Sequence, residues 1–255
     1  MKICIFDVDK PLSMKKVLLI ILLFTTAMAY AQDGAIPSGQ DGKVSILKRL
    51  TTRIDLFSDV WKGGNDTIKP GNINPGISFY ITIDNPLGEK KTPWSYSYGL
   101  GLTSENFYND NFIGYRKNAS GVYETYYYKI PIKTTDNLAT VTYKKNKQVF
   151  TYLDAPLEFR YHKGAFRAAA GMKFGLLLGA HTKYVGDDVN DKLGNLTIKQ
   201  KTTRNMDATR YGATFSIGYG ILLFNGYYQL SKVYKDGLGP NIYPISLGIS
   251  LRPFK

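Results

Sequence analysis

Large apolar residues alternate with small polar ones over ten consecutive positions, from Trp94 to Thr103. Because successive side chains of a strand point to opposite faces, this segment predicts a strand with one apolar and one polar face. The apolar face carries Trp94, Tyr96, Tyr98, Leu100 and Leu102. Residues 211–220 and 243–251 repeat the pattern. A small-residue interior inside an aromatic-rich exterior is typical of a transmembrane β-barrel.

Other runs with a period of two, each bounded by turn residues, bring the number of predicted strands to eight. The predicted strands lie at about residues 50–61, 76–84, 94–106, 149–162, 165–183, 208–222, 227–234 and 242–254. We therefore predict an all-β fold, an eight-stranded antiparallel up-and-down transmembrane β-barrel. Two more β-like runs, at residues 122–132 and 138–144, leave a ten-stranded barrel as the competing count.

The connections between the predicted strands alternate between short and long. The short ones lie at residues 86–93, 162–165 and 224–226, and the Asn225-Gly226 pair in the last favours a hairpin turn. Transmembrane barrels have short periplasmic turns and long extracellular loops. The sequence therefore predicts extracellular loops of which the largest is at about 108–148, and it places both termini in the periplasm.

Charged residues decide which face of the fourth and fifth predicted strands points inward. A charge that faces hydrocarbon near the bilayer midplane costs about 2–4 kcal/mol, so these side chains are expected in the lumen. The predicted lumen network consists of Asp154, Glu158, Arg160, Arg167 and Lys173. Side chains can fill an eight-stranded barrel. We expect a plugged lumen in which these charges form ion pairs and not a substrate or proton route.

Two further groups of residues follow from the predicted topology. Aromatic residues at strand ends are expected at the membrane interfaces, and they are Trp94, Tyr161, Tyr211, Tyr219 and Tyr243. Tyrosines and lysines of the largest loop suit contact with a partner protein or an anionic glycan, and they are Tyr126, Tyr127, Tyr128, Lys144, Lys145 and Lys147. The alternative is that these tyrosines only extend the strands above the lipid.

The N-terminal residues 14–31 have the layout of an export signal. Lys15 and Lys16 precede an apolar run at 17–24, and small residues occupy the end of the segment. We expect cleavage before Gln32. Met14 is a more natural start of translation than Met1, so residues 1–13 are either a misassigned start or an extension of the basic region of the signal. The predicted organisation is an N-terminal extension and signal peptide at 1–31, a periplasmic leader at 32–48 and an outer-membrane barrel at 49–255.

The chain is basic, with a formal net charge of +13. Loss of residues 1–31 would leave 29 basic and 18 acidic residues, a net charge of +11. Such a surface attracts polyanions. In an exported protein with dispersed basic residues, we expect membrane lipid and lipopolysaccharide headgroups as the counter-charge and no nucleic acid.

Few residues are suited to catalysis or metal binding. The single cysteine, Cys4, lies in the segment expected to be removed, which leaves no thiolate nucleophile. His162 and His181 are the two histidines. His181 could face inward, but no serine or carboxylate partner is evident beside it in sequence, and Asp187 and Asp188 lie nearby in a predicted loop. His162 lies beside a short turn. The acidic stretch at 187–191 resembles a calcium loop in composition only. We expect no enzymatic activity, no cofactor and no metal.

One segment carries a resemblance to a known family. Residues 152–161 read YLDAPLEFRY, and a tight turn and a Gly-rich strand, AAAGMKFG at 168–175, follow them. This is similar to the Y-L-x-x-P-L-x-x-(K/R)-Y strand of the PorT-like outer membrane protein β-barrel domain family. The resemblance implies an eight-stranded barrel in the outer membrane of a Gram-negative bacterium. Most such relatives have no assigned activity, and one serves a protein secretion system.

Outer-membrane barrels often end on an aromatic residue that the barrel assembly machinery recognises, and we expect this machinery as a partner during biogenesis. Here the aromatic residue, Phe254, is followed by Lys255, which departs from that pattern.

Three functions stay open at this point. We favour a structural or interaction barrel that presents its largest loop outside the cell. A small-solute channel, or an accessory barrel of a secretion system, is the second. A secreted soluble barrel that binds lipid inside is the third, and charges on the wall of its cavity would oppose it.

Overall fold

The computed structural model describes residues 49–64, 68, 70–88, 92–130, 142–187 and 196–253. Eleven strands lie within these ranges. They are β1 (Leu50–Gly63), β2 (Pro75–Pro86), β3 (Trp94–Tyr108), β4 (Asn111–Lys117), β5 (Tyr123–Lys129), β6 (Tyr143–Lys163), β7 (Phe166–Gly186), β8 (Leu196–Lys201), β9 (Thr209–Tyr219), β10 (Leu222–Gln229) and β11 (Ile242–Leu251).

Eight of these strands close into an antiparallel barrel. Each barrel strand pairs with the next one along the chain, in the order β1, β2, β3, β6, β7, β9, β10 and β11, and β11 pairs back with β1. The up-and-down, eight-stranded prediction is therefore confirmed. β4 and β5 form a separate two-stranded sheet, so the ten-stranded count is wrong. β8 adds to the far end of β7 outside the barrel.

The two faces of the barrel follow the alternation in the sequence. On β3, Leu100 is 59% exposed and faces outward, whereas Ser97 is 1% exposed and faces inward. Exposed apolar side chains continue around the outer wall, for example Phe159 of β6 and Phe215 of β9. The outer wall is therefore apolar and the inner wall polar, which is the arrangement of a barrel in lipid.

The predicted hairpin at Asn225-Gly226 is wrong. Both residues lie inside β10, where Asn225 pairs with Gly248 of β11, and the chain turns instead at Gly220. Gly220 has a φ of 61°, a left-handed conformation that suits glycine. At Gly226 a Cβ would overlap the ring of Phe215, so this glycine is needed for packing and not for a turn.

β6 and β7 are longer than predicted, and a bulge in β7 reverses which of its side chains point inward. β6 begins at Tyr143 and not at Val149, so part of the predicted large loop is a strand. The β6–β7 register shifts where Thr151 and Tyr152 pair with Gly179 and Leu177, which leaves one extra residue in β7. Such a bulge exchanges the two faces beyond it.

His181 lies beyond this bulge. It pairs with Val149, and its neighbour Ala180 is the buried residue. The expectation that His181 faces inward is therefore wrong.

Several predictions fall outside the described residues. They concern the segments 1–31 and 32–48, the β-like run at 138–141, the acidic residues 188–191 and Phe254. Within the described ranges there is no helix of the length and hydropathy that crossing a membrane requires.

A closed barrel has no free edge strand around its circumference, so we expect it to resist unfolding by SDS at room temperature. The purified protein, extracted in detergent, should migrate differently in SDS electrophoresis before and after boiling. Identical mobility of the two samples, for a protein that also stays soluble without detergent, would contradict the membrane barrel.

Candidate functional site: a charged barrel interior under a tyrosine-rich cap

Arg210 of β9 lies at the centre of a buried cluster in the barrel. Its Nε donates to Asp154 Oδ1 at 3.1 Å and its Nη2 donates to Asp154 Oδ2 at 2.8 Å, while Nη1 donates to Glu105 Oε1 at 2.5 Å. Asp154 also accepts hydrogen bonds from Thr103 at 2.5 Å and from Tyr80 at 3.3 Å. Asp154 is 0% exposed and Arg210 is 2% exposed. This bidentate pair is therefore held in fixed geometry away from solvent.

Aromatic rings line the same cluster. The Arg210 guanidinium lies 3.6 Å from the centroid of the Tyr152 ring. Lys173 Nζ lies 3.7 Å from the centroid of Tyr227 and 3.6 Å from Asp154 Oδ2. Cation–π contacts of this kind favour a desolvated cation. The rings therefore fill the lumen and also stabilise its charges.

A second cluster surrounds Glu158, closer to the short turn between β6 and β7. Glu158 accepts hydrogen bonds from Arg53 and from Arg160 Nε, the latter at 3.0 Å, and Arg252 Nη2 lies 3.5 Å from it. Arg53 Nε is 3.2 Å from Asp55 Oδ1. The Glu158 carboxylate thus lies close to three guanidinium groups, and the Asp55 carboxylate offsets part of their excess positive charge.

The buried charges balance in sign. Among the described residues, ten charged side chains are buried, five of each sign. The cations are Arg53, Arg160, Lys173, Arg210 and Arg252, and the anions are Asp55, Asp59, Glu105, Asp154 and Glu158. A buried charge is tolerated when it is paired and hydrogen-bonded. Nine of the ten form a salt bridge with another member of the set, and Asp59 forms none within the described residues.

Four of the five residues predicted for the lumen lie in the two buried clusters, and the fifth lies outside them. Asp154 and Lys173 meet in the Arg210 cluster, and Glu158 and Arg160 meet in the second cluster. Arg167, near the β6–β7 turn, is half-buried and forms none of the salt bridges found in the described part of the chain.

Sequence reasoning missed the residues that complete both clusters, namely Arg53, Glu105, Arg210 and Arg252. Each of Arg53, Glu105 and Arg210 lies at an inward position of its strand. A count of charges at inward positions on every strand, and not on two, would have found them.

An aromatic layer lies above these clusters, toward the extracellular end. Trp61 and Phe107 stack with ring centroids 3.3 Å apart, and Phe150 packs beside Trp61 at 6.0 Å. Tyr234 and Ile242 are fully buried in the same cluster. The layer therefore separates the charged interior from the loops above it.

Tyr127 of β5 enters this layer from outside the barrel. Its hydroxyl donates to Gln148 Oε1 at 2.8 Å and lies 2.7 Å from the Tyr234 hydroxyl. Burial raises the pKa of Tyr127 well above its ordinary value, so the hydroxyl stays protonated at neutral pH. Tyr127, predicted as a surface contact residue, is instead part of the packing that closes the barrel mouth.

The β4–β5 hairpin, which we call the cap, is attached to the barrel at several other points. Thr125 N donates to Leu238 O at 2.8 Å, and Asn205 Nδ2 donates to Tyr123 O at 2.9 Å. Phe112 packs edge-to-face on Tyr184 of β7, with ring centroids 5.1 Å apart. The cap is therefore a folded lid over the mouth.

The remaining predicted contact residues lie on the outside. Tyr128 of the cap is 43% exposed. Tyr126 is half-buried, and the Arg116 guanidinium lies 5.3 Å from the centroid of the Tyr126 ring. Lys144 is exposed near the start of β6, whereas Lys145 and Lys147 are half-buried against the ring of Tyr108.

The predicted interfacial aromatics lie at strand ends with their rings partly or largely exposed. Trp94 contacts Phe159 and Tyr161 near the short turns, and Tyr219 is next to the Gly220 turn. Tyr211 and Tyr243 lie near the opposite ends of their strands.

The structure offers no cluster of three or more His, Cys, Asp or Glu that could hold a metal within the described ranges. Of the acidic stretch, Asp187 is described, and its carboxylate accepts hydrogen bonds from the backbone and hydroxyl of Thr142. These hydrogen bonds lower the pKa of Asp187. Its role here is to join the ends of β6 and β7.

Residues 58–232 match the family described as outer membrane protein beta-barrel domain. The chain belongs to this family. A search of curated proteins finds no match for this family member.

Among solved structures, this barrel-domain protein is similar to Ail, the attachment invasion locus protein of Yersinia pestis, in complex with the heparin analogue sucrose octasulfate. The TM-score is 0.35 at 13% identity, over 80% of this chain and 97% of that chain. It is also similar to a mutant porin of Rh. blastica, with a TM-score of 0.20 at 7% identity, over 80% and 99% of the two chains. Neither likeness supports a statement about activity.

Neutralising Glu158 should destabilise the barrel strongly. Glu158→Gln leaves Arg53, Arg160 and Arg252 without their shared carboxylate, and breaking a buried ion pair costs about 3–5 kcal/mol. We expect the heat-dependent mobility shift to occur at a clearly lower temperature. Asp236→Asn is the matched control, because it removes an exposed partner of Lys232 and should change stability by less than about 1 kcal/mol. Equal shifts in the two variants would contradict the importance of the buried cluster.

Removing the Tyr127 hydroxyl should loosen the cap but not the barrel. In Tyr127→Phe, the buried partners Gln148 and Tyr234 lose a hydrogen bond, at a cost of about 1–3 kcal/mol. Trypsin should then cleave the cap after Arg116 or Lys117 about tenfold faster, as followed by mass spectrometry. Tyr128→Phe should leave the cleavage rate unchanged. The boiling-dependent mobility shift should be the same in both variants as in the wild type. An unchanged rate in Tyr127→Phe would show that the cap docks by other contacts.

Proposed function

We propose that this protein is a non-enzymatic, non-conducting outer-membrane barrel that displays a folded extracellular cap for interaction. The observation that carries the proposal is the closed mouth, where Tyr127 of the cap joins Gln148 and Tyr234 above a lumen crossed by buried ion pairs. A protein whose interior is filled in this way has its accessible chemistry on the loops.

The filled lumen argues against the small-solute channel. A channel needs a continuous water-filled path, but Arg210 ties β9 to Asp154 of β6 and Glu105 of β3 across the lumen. The stacked rings of Trp61 and Phe107 lie over that bridge. A solute would have to displace both layers.

The outer wall argues against the secreted lipid-binding barrel. Such a protein would keep its apolar surface inside, yet here Leu100, Phe159 and Phe215 face outward and are exposed. The interior has charged groups where a lipid chain would lie. A barrel surrounded by lipid explains both observations, because its apolar outer wall contacts lipid and its charged groups stay inside.

The cap is the surface most suited to a partner. Tyr123 and Tyr128 expose their rings, and Lys117 Nζ of the cap lies 5.6 Å from the centroid of the Tyr123 ring. Aromatic rings beside cations favour an anionic partner, such as an acidic glycan or an acidic protein surface. A secretion-system accessory role, as in a PorT-like relative, would use the same surface.

We further propose that residues 14–31 act as a cleaved signal peptide and that the barrel assembly machinery inserts the protein. The outer-membrane family to which the chain belongs supports both proposals.

Conductance tests the proposal directly. The folded protein, reconstituted into a planar lipid bilayer, should give no stepwise conductance at voltages where a porin reconstituted in parallel does. The protein is delivered to the planar bilayer in lipid vesicles, and its insertion into these vesicles is verified independently by the boiling-dependent mobility of protein recovered from them. Reproducible conductance steps would overturn the display barrel in favour of the channel.

A further inference from the structure

Three lysines lie in a row across the extracellular ends of β6, β7 and β8. Lys147 pairs directly with Lys183, and Lys183 pairs directly with Lys199. Residues that are directly opposite in a sheet point to the same face, with Cβ atoms about 4.5–5.5 Å apart. The Cα atoms of these three lysines, which we call the lysine row, therefore lie within about 10 Å of one another.

The lysine row faces outward, above the lipid-exposed wall. Lys147 shares the outward face of β6 with Leu157, and the bulge in β7 brings Lys183 onto that face. Lys183 follows Leu178, which is 58% exposed, by five positions. At about 3.4 Å per residue and a tilt of about 40°, Lys183 lies about 13 Å farther along the membrane normal than Leu178. The row therefore lies on the strand extensions beyond the exposed apolar side chains, on the side where headgroups are found.

The lysine row has no acidic partner in the described part of the chain, where none of its three members forms a salt bridge. Lys147 donates to Asn106 Oδ1, a neutral acceptor, and lies 5.7 Å from the centroid of the Tyr108 ring. These contacts orient Lys147 without neutralising it. Like charges directly opposite in a sheet repel one another, so an anion from outside would stabilise the row.

Protection of an exposed sheet edge explains only part of this pattern. Lysine on an edge strand discourages pairing with another chain, and Lys199 of β8 suits that purpose. Lys147 and Lys183, however, lie on β6 and β7, which are paired on both sides at this level. Their position is explained by a ligand and not by edge protection.

We propose that the lysine row binds phosphate groups on the headgroup sugars of glycolipids in the surrounding outer leaflet. Lys145, which lies two residues from Lys147 on the same face, extends the site along β6. Long lysine side chains reach down to headgroups while their stems cover the strand. The site is on the side of the barrel, so it does not depend on the cap or on its partner.

The test is a titration of the folded, detergent-solubilised full chain with rough lipopolysaccharide that retains its phosphorylated core sugars. The same lipopolysaccharide after chemical removal of phosphate is the matched probe, and inorganic phosphate at equal concentration is the third. We expect the wild type to bind the phosphorylated glycolipid about tenfold or more tightly than the other two probes.

The variant Lys147→Gln/Lys183→Gln/Lys199→Gln should lose that preference and bind about tenfold more weakly. Lys62→Gln/Lys163→Gln/Lys235→Gln removes the same charge from exposed positions outside the lysine row and the cap, and it should stay within about twofold of the wild type. Lys183→Gln alone should show a smaller loss, and the boiling-dependent shift verifies that each variant is folded.

Equal binding by the wild type and the lysine-row variant would overturn the proposal. So would equal binding of the dephosphorylated glycolipid. Binding of inorganic phosphate as tightly as the glycolipid would show a site for free anions and would also overturn it. None of these results bears on conductance, so the proposed display function is judged separately.

Discussion

The structure depends on the pairing of charges inside a closed barrel. Closure of eight strands directs every second side chain into a narrow space, and ten of those side chains in the described residues are buried and charged. An unpaired charge there would cost several kcal/mol, and nine of the ten avoid this cost through salt bridges with other members of the set. Asp154 illustrates this, since two arginine nitrogens, a threonine and a tyrosine all donate to it. Arg210 and Arg53 each form a salt bridge to a strand that is not a neighbour of their own, and so these pairs fix the barrel across its diameter.

The cap depends on that interior because the aromatic layer rests on it. Tyr152 stacks on Arg210 below and on Phe150 beside it, and Phe150 packs in turn against Trp61. Tyr127 then completes the layer from above through Tyr234. Charged interior, aromatic layer and cap thus form one continuous packed column. A change in the interior should therefore reach the surface that a partner would contact.

The sequence predicts the strands well because lipid outside and polar groups inside impose a period of two on every barrel strand. It predicts Asp154 and Glu158 as inward for the same reason. It does not reveal that Arg210 meets Asp154 and Glu105, since that depends on register across three strands. The Asn225-Gly226 prediction failed because local turn preference lost to packing of Phe215 over Gly226. His181 was misplaced because one extra residue in β7 exchanges its faces.

The balance of charge in the lumen also bears on where the unpaired basic side chains of the described residues lie. Because the ten buried side chains of the described barrel carry formal charges that sum to zero, they add nothing to the formal net charge of +13. Within the described residues, exposed cations such as Lys62, Lys144 and Lys163 lie near strand ends. Charges avoid the hydrocarbon band for energetic reasons, which confines them to the aqueous borders of the bilayer. Headgroup phosphates are concentrated in the same borders. Paired charges thus fill the lumen, and the unpaired cations at the borders of the bilayer make the outer rim of the barrel attractive to anions.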